Sequence, residues 1–486
     1  MGLAGDLSLT LPSPESRALR KALYSQLRDA IGDGRIGSGE QLPPSRSLAV
    51  EIGRSRKSVV AVYDRLIAEG LAEARAGAGV FALPVSVRNH EGDRSAPPRW
   101  LKAVQADRGP SAPVFAGHDY RFDLRPGVPE TAHFPFDVWG RLVGRALRSF
   151  SRTSMRYREP AGHPALREAI VGHLAFSRGI ACLPGQVIVT AGSQQAHDLI
   201  ARCFAGSGHN VAVEDPGYPS IGAAFAAAGA NLFHVPVDEA GLVVRQIPEG
   251  IQAVCVTPAH QFPTGVPLSH GRRRQLLELA RKTDAIIVED DFGGEFRSTG
   301  PAGETLSRLD RNGRVLFIGT FSLSMFPALR IAFVVAPGWA VPALTEAREA
   351  LDWHGAAIEQ GALAMFIAEG HLARHIRRMR RIYAERRVEL SRALQEHCPD
   401  LLQPMRGAGG LHLAAMAPEG CDLGAWQKEA AERGVAIDII DQYASRPLEE
   451  GGFPIGLGSI AAEDIDSAIA ILAASAQLSL CAGARC

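Results

Sequence analysis

The sequence predicts a multidomain chain: a small helical segment closed by a β-hairpin, then a long α/β segment with a mostly parallel sheet and a smaller C-terminal α/β part. Three observations carry that reading. At 486 residues the chain exceeds what one ordinary core accommodates. Residues 16–83 repeat apolar positions at helical spacing and then turn at glycines. From about Tyr120 onward, short β-rich runs alternate with amphipathic helical stretches. Formal charge is zero, which excludes binding to nucleic acid or membrane by bulk charge alone, and 46% hydrophobic residues supply a sizeable core.

In the first segment, Leu19, Leu23, Leu27 and Ile31 mark one helix face, and Gly32 and Gly34 punctuate its end. Pro43, Pro44 and Ser45 open a short second helix with Leu48 and Ile52 on its apolar face, and Gly53 stops it. Ser55 is placed to cap a third helix whose Val59, Val62, Tyr63, Leu66 and Ile67 share a face. Gly70 ends that helix, and Leu71 to Phe81 reads as a hairpin turning at Gly77 and Gly79. Two helices joined at Gly53 and followed by a hairpin make a winged helix-turn-helix. That arrangement offers the start of the third helix to the major groove, where Arg56, Lys57 and Ser58 point away from the apolar face. Arg46 lies where a phosphate contact would fix register, and the wing around Arg75 and Gly77 is placed for the minor groove or the backbone. The segment holds eleven Lys/Arg against seven Asp/Glu, a modest excess that needs the motif to give it meaning.

Residues 84–118, with Pro97, Pro98, Pro110 and Pro113 among charges and small residues, read as a linker. Residues 119–474 read as one α/β domain with a large part to about 340 and a small part from about 341. Val187–Val189, Val211–Val213, Val254–Val256, Ala285–Val288 and Val315–Ile318 are its strand candidates, with a further β-like element near Leu411–Leu413. Seven arginines between Arg374 and Arg387 flank an apolar stripe of Leu372, Ile376, Met379 and Tyr383. The plain reading is a solvated helix face, the alternative an auxiliary DNA contact. Seven scattered cysteines form no CxxC pair, and His354, His371 and His412 show no metal spacing, so no metal is expected. With no signal segment and no transmembrane-length apolar run, the expected location is the cytoplasm, away from membranes.

The ordered set Leu23–Arg28, Gly39–Leu42, Pro44-Ser45-Arg46, Ser55-Arg56 and Tyr63–Leu66 resembles the GntR family of winged-helix regulators. The resemblance implies duplex operator DNA as a partner, contacted by Arg46, Arg56 and Gly77. Further on come Tyr157 with Pro160–Gly162, Thr190–Gln195, Glu214–Pro219, Phe262–Gly265, Glu289–Phe292, Gly319–Ser322 and Pro327–Arg330. In that order they resemble fold-type I aminotransferases, and the whole chain resembles the MocR subfamily of GntR regulators.

This second resemblance implies a pyridoxal-phosphate pocket. Gly192, Ser193 and Gln194 would open a helix whose N–H groups cradle the phosphate, with Ser322 and Arg330 as further donors. Asp290 would pair with the pyridinium nitrogen and Tyr218 would stack on the ring. Two positions depart from the family: Leu323 stands where the Schiff-base lysine belongs, and Phe292 where a tyrosine supports the phenolic oxygen. Leucine has no amine to form a covalent link or move a proton. The expectation is a homodimeric, non-catalytic regulator that senses a small-molecule effector: pyridoxal phosphate held non-covalently, an amino-acid adduct of it, or a related ligand. The competing readings are an aminotransferase with an incidental N-terminal domain, which Leu323 argues against, and an architectural DNA-binding protein whose large domain only dimerises.

Overall fold

The computed structural model describes residues 9–12, 18–83, 120–152, 156–296, 305–405, 407 and 409–483, with side chains of the last helix to Ala476. The expected linker at 84–118 lies outside the described residues. The chain divides into two compact units, residues 1–103 and 104–486.

In the first unit, helix α1 (Leu19–Gly32) buries Leu19, Leu23, Leu27 and Ile31, the face set by their spacing. Helix α2 (Ser45–Glu51) follows Pro44 and buries Leu48, and Gly53 turns the chain with φ +65° into α3 (Arg56–Ala68). The Tyr63 hydroxyl donates to the Pro43 carbonyl at 2.6 Å inside the core, which locks α3 against the start of α2. Ser55 occupies the N-cap position of α3, but its hydroxyl makes no cap bond and instead lies 3.1 Å from that of Ser58. Strands β1 (Ala72–Arg75) and β2 (Gly79–Ala82) pair antiparallel around Gly77, whose φ of +74° suits a residue without a Cβ. Residues 39–42 zip onto β2 as an outer rung, through Leu42 N to the Val80 carbonyl and Ala82 N to the Glu40 carbonyl, both 2.8 Å.

The second unit opens with β3 (Phe122–Asp123), α4 (Phe136–Ser151) and α5 (Pro164–Ser177). Its central sheet follows: β4 (Val187–Thr190), β5 (Asn210–Asp215), β6 (Asn231–Asp238), β7 (Gly241–Leu242), β8 (Ala253–Val256), β9 (Ile286–Asp290), β10 (Val315–Thr320) and β11 (Ala332–Val335). Their spatial order is β4-β11-β10-β9-β8-β5-β6-β7. The run from β10 to β6 is parallel, while β11 runs antiparallel to both of its neighbours and β7 antiparallel to β6. Helices α6 (Ser193–Phe204), α7 (Pro219–Ala227), α8 (His270–Thr283) and α9 (Leu306–Leu309) connect the strands. Side chains alternate across the pleat. Ile188, Val211, Val288, Leu316 and Val334 pack with α6, while Val187, Val189, Phe317 and Phe333 join the opposite core.

Beyond β11 come α10 (Val341–Asp352), α11 (Ala357–Ala368) and the 27-residue α12 (His371–His397). The C-terminal part adds β12 (Gln403–Pro404), β13 (His412–Met416), α13 (Leu423–Glu432), β14 (Val435–Ala436), β15 (Gly452–Gly456) and α14 (Ala462–Gly483). β12, β13 and β15 form an antiparallel sheet, and β14 pairs in parallel with β3. The chain from Phe122 to Leu124 therefore hydrogen-bonds into the C-terminal part, with Leu124 N 2.8 Å from the Ala436 carbonyl. No helix among the described residues is long and apolar enough to cross a membrane.

Candidate functional site

The carboxyl edge of the parallel strands is where α/β sheets place their ligands, and here register brings the motif residues to that edge. Ile318 lies beside Asp290, Thr320 beside Ala332, and Ala332 beside Thr190. The turn after β4 leads through Gly192 into α6, and the turn before β11 carries Arg330. Gly192 adopts φ +90°, and a Cβ there would sit 2.4 Å from the Arg330 guanidinium, so only glycine lets that cation approach the helix start. Arg330, itself at φ +51°, donates Nη2 to the Ala191 carbonyl at 3.0 Å. Gln195 clamps the same turn: it accepts from Ala191 N at 2.7 Å and donates to Asp352 at 3.1 Å. A helix start whose first N–H groups have no intrahelical partner, with a guanidinium beside it, attracts an anion. Ser322, on the turn after β10, accepts from the Thr320 hydroxyl at 3.1 Å.

Asp290 ends β9, buried, with one carboxylate oxygen 3.2 Å from Nε2 of His197. That contact is at ion-pair distance without hydrogen-bond alignment. His197 is fully buried one helical turn beyond Ser193, so α6 supplies both the anion-attracting end and the neighbour of the carboxylate. Asp291 is engaged elsewhere, accepting from Arg178 Nε at 2.6 Å. The Tyr218 and Phe292 rings lie 6.3 Å apart at 34°, with Phe262 edge-on to both at 5.4 and 5.3 Å. Burial pushes the Tyr218 phenol above its usual pKa; Asp290 pushes the same way and Arg330 opposes.

Leu323 lies in the apolar core with Phe317, Phe321, Met325 and Phe333, only 8% exposed. It also lines a void of about 20 Å³ beside Arg178, Asp291, Glu295 and Ser324.

Several site residues escape sequence reasoning. His197 is one, although a histidine four residues into the motif helix was its signal. Glu214 is another. Buried at the end of β5, it accepts from Thr257 Oγ1 at 2.6 Å and from Thr257 N at 3.1 Å, and burial raises its carboxyl to about 7. The third group comes from the C-terminal part. Tyr443 packs edge-on against Phe262 at 4.8 Å, and Ser445 donates to both oxygens of Asp215, at 2.9 Å from its N–H and 2.6 Å from its hydroxyl. No motif advertises that wall.

On the first unit, Arg56 Nε donates to Ser45 Oγ at 3.3 Å, which sets the start of α3 against the start of α2, where Arg46 projects. Arg46, Ser55, Arg56 and Lys57 are exposed and Ser58 is half-buried. Arg75, on the wing with exposed Gly77, pairs with Glu73 at 2.7 Å and lies 4.4 Å over the Phe81 ring.

Two family models match. Residues 19–82 fit the bacterial regulatory proteins of the gntR family, and residues 128–443 fit aminotransferase class I and II. The probable rhizopine catabolism regulatory protein MocR of Rhizobium meliloti is 34% identical, over 89% of each chain. The HTH-type pyridoxine biosynthesis transcriptional regulator PdxR of Corynebacterium glutamicum is 32% identical, over 94% of this chain and 96% of its own. Among solved structures, the kynurenine aminotransferase of Pyrococcus horikoshii superposes with a TM-score of 0.69 at 26% identity. The match covers 79% of this chain and 96% of that one.

Proposed function

The chain belongs to the GntR-type transcriptional regulators that carry an aminotransferase class I and II domain, and from that premise we propose that its second domain is a non-catalytic effector sensor. The protein is a DNA-binding regulator on an aminotransferase-like, pyridoxal-phosphate-binding fold. In the proposed reading, residues 16–83 read DNA, 84–118 link, and 119–474 bind the effector and dimerise. One observation carries the loss of catalysis: the position that should hold an amine is Leu323, packed in an apolar core.

The pocket residues still fit the cofactor. Gly192 leaves the space that a Cβ would fill beside Arg330, so Ser193, Gln194, Ser322 and Arg330 would hold a phosphate. Asp290, backed by His197, would hold a protonated ring nitrogen, and Tyr218 and Phe292 would face the ring. When bound, pyridoxal phosphate supplies an electron-withdrawing ring and a carbonyl that reacts with amines. This chain's residues bind and orient it, but Leu323 offers no group to link it or move a proton. The bound effector is thus pyridoxal phosphate without a covalent tie, its amino-acid adduct, or a ligand of the same charge pattern.

Borohydride reduction followed by mass spectrometry tests this. The native chain should carry no pyridoxyl group. Leu323→Lys should gain one after incubation with pyridoxal phosphate, because burial lowers the amine's pKa and favours the neutral nucleophile. An unmodified lysine in that variant would show that the phosphate cradle and Asp290 do not form a cofactor pocket.

A further inference from the structure

Neither site uses the arginines of α12. The stretch from Leu372 to Ala384 contains no acidic residue. Its apolar stripe of Leu372, Ile376, Met379 and Tyr383 is buried. Arg374, Arg377, Arg378 and Arg381 are exposed. Their spacing of i, i+3, i+4 and i+7 puts all four on one face, along about 10 Å of helix axis.

Among the described residues, none of the four meets a carboxylate. Arg374 donates to the Glu369 carbonyl at 3.1 Å and lies 3.0 Å from His371 Nδ1, and Arg378 lies 3.3 Å from His133 Nδ1. Glu369 is taken up by Arg145 and His371. Beside His371 opens a groove of about 370 Å³ lined by Arg141, Arg145 and Arg148 of α4, with Glu369 as its one carboxylate.

A helix face that is merely solvated intersperses both signs of charge, as the later part of α12 does where Arg392 pairs with Glu389 and Glu396. Here one sign is concentrated in a chain whose net charge is zero. The residue type is arginine, whose flat fork matches a phosphate bidentately. A row of such forks fits a polyanion with closely spaced phosphates, and the chain is already a DNA-binding protein. We propose that the Arg374–Arg381 face of α12 is a second, sequence-independent contact surface for the phosphates of duplex DNA, separate from the winged helix. The proposal rests on reading the chain as DNA-binding.

The test uses the full chain and a random-sequence duplex of about 40 base pairs, titrated across salt concentrations. Two variants carry all four changes, Arg374→Gln, Arg377→Gln, Arg378→Gln and Arg381→Gln in one, and lysine at the same positions in the other. In the glutamine variant the slope of log affinity against log salt should flatten by about 0.9 for each phosphate no longer neutralised. The lysine variant should keep most of the slope, since the charge remains. Arg56→Ala, in the winged helix, should leave this dependence on the α12 arginines in place. An unchanged slope in the glutamine variant, with the native chain still bound, overturns the proposal alone. Equal losses in both variants also overturn it, because altered structure rather than charge would be responsible. Loss of binding to vesicles of anionic phospholipid, with the DNA slope unchanged, overturns it in favour of a membrane surface. A native chain that binds no duplex at any salt removes the underlying reading as well.

Discussion

Glu214 shows how a single buried carboxyl ties the pocket to pH. Burial outweighs its bonds from Thr257 and Gln261 and raises it from 4.5 to about 7. The folded chain thus holds this proton more tightly than the unfolded chain does. Its stabilising contribution is fully present below pH 4.5 and is lost as pH rises through about 7. At about 1.4 kcal/mol per pKa unit this amounts to on the order of 3 kcal/mol. Glu214→Gln should flatten the fall in unfolding free energy across that window, measured by urea titration at several pH values. An unaltered slope would show that Glu214 does not hold the proton. Arg56 makes a residue-scale prediction of another kind. Exposed at the start of α3 and oriented by Ser45, it is placed to read a base. Arg56→Ala should therefore weaken operator binding by about 1–3 kcal/mol in a mobility-shift titration, and full affinity would show that Arg56 reads no base.

Among elements, the start of α6 carries the proposed anion site through Gly192, Ser193 and Gln194. Gly192→Ala would place a methyl group 2.4 Å from the Arg330 guanidinium at a backbone φ of +90°. The expected result is at least tenfold weaker pyridoxal-phosphate binding, read from its absorbance, with a fold destabilised by about 1 kcal/mol or more. Affinity equal to that of the native chain would move the anion site away from α6. This element was legible because Thr190–Gln195 is a motif and glycine before a helix has a physical reason. Others were not. In β6, Phe233, Val235 and Val237 alternate with His234, Pro236 and Asp238, but Pro236 inside the run argues against a strand and the alternation does not match burial, since Phe233 is exposed and Val235 buried. β11 is only four residues long, follows directly on a motif turn and runs against its neighbours, an orientation that periodicity does not encode. The outer rung at 39–42 exists through pairing with β2 rather than through any pattern of its own. Tyr443 and Ser445 reach the site by tertiary folding, and nothing local in their sequence announces it.

For the molecule as a whole, the proposed dimer has a visible candidate surface. Tyr157 and Trp353 are 74% and 53% exposed, with ring centroids 4.2 Å apart, an aromatic pair that association would shield from water. Light scattering at micromolar concentration should give a dimer for the native chain, and Tyr157→Asp with Trp353→Asp should shift it toward monomer. A native chain that is monomeric throughout would rule the dimer out.

The pairing of β3 with β14 has a mechanical meaning. Near the start of the second unit's described residues, Phe122 and Asp123 are laced to Val435 and Ala436. β14 belongs to the same C-terminal part that carries Tyr443 against Phe262 and Ser445 against Asp215. Anything that displaces the C-terminal part therefore displaces the strand at Phe122 and Asp123 along with it.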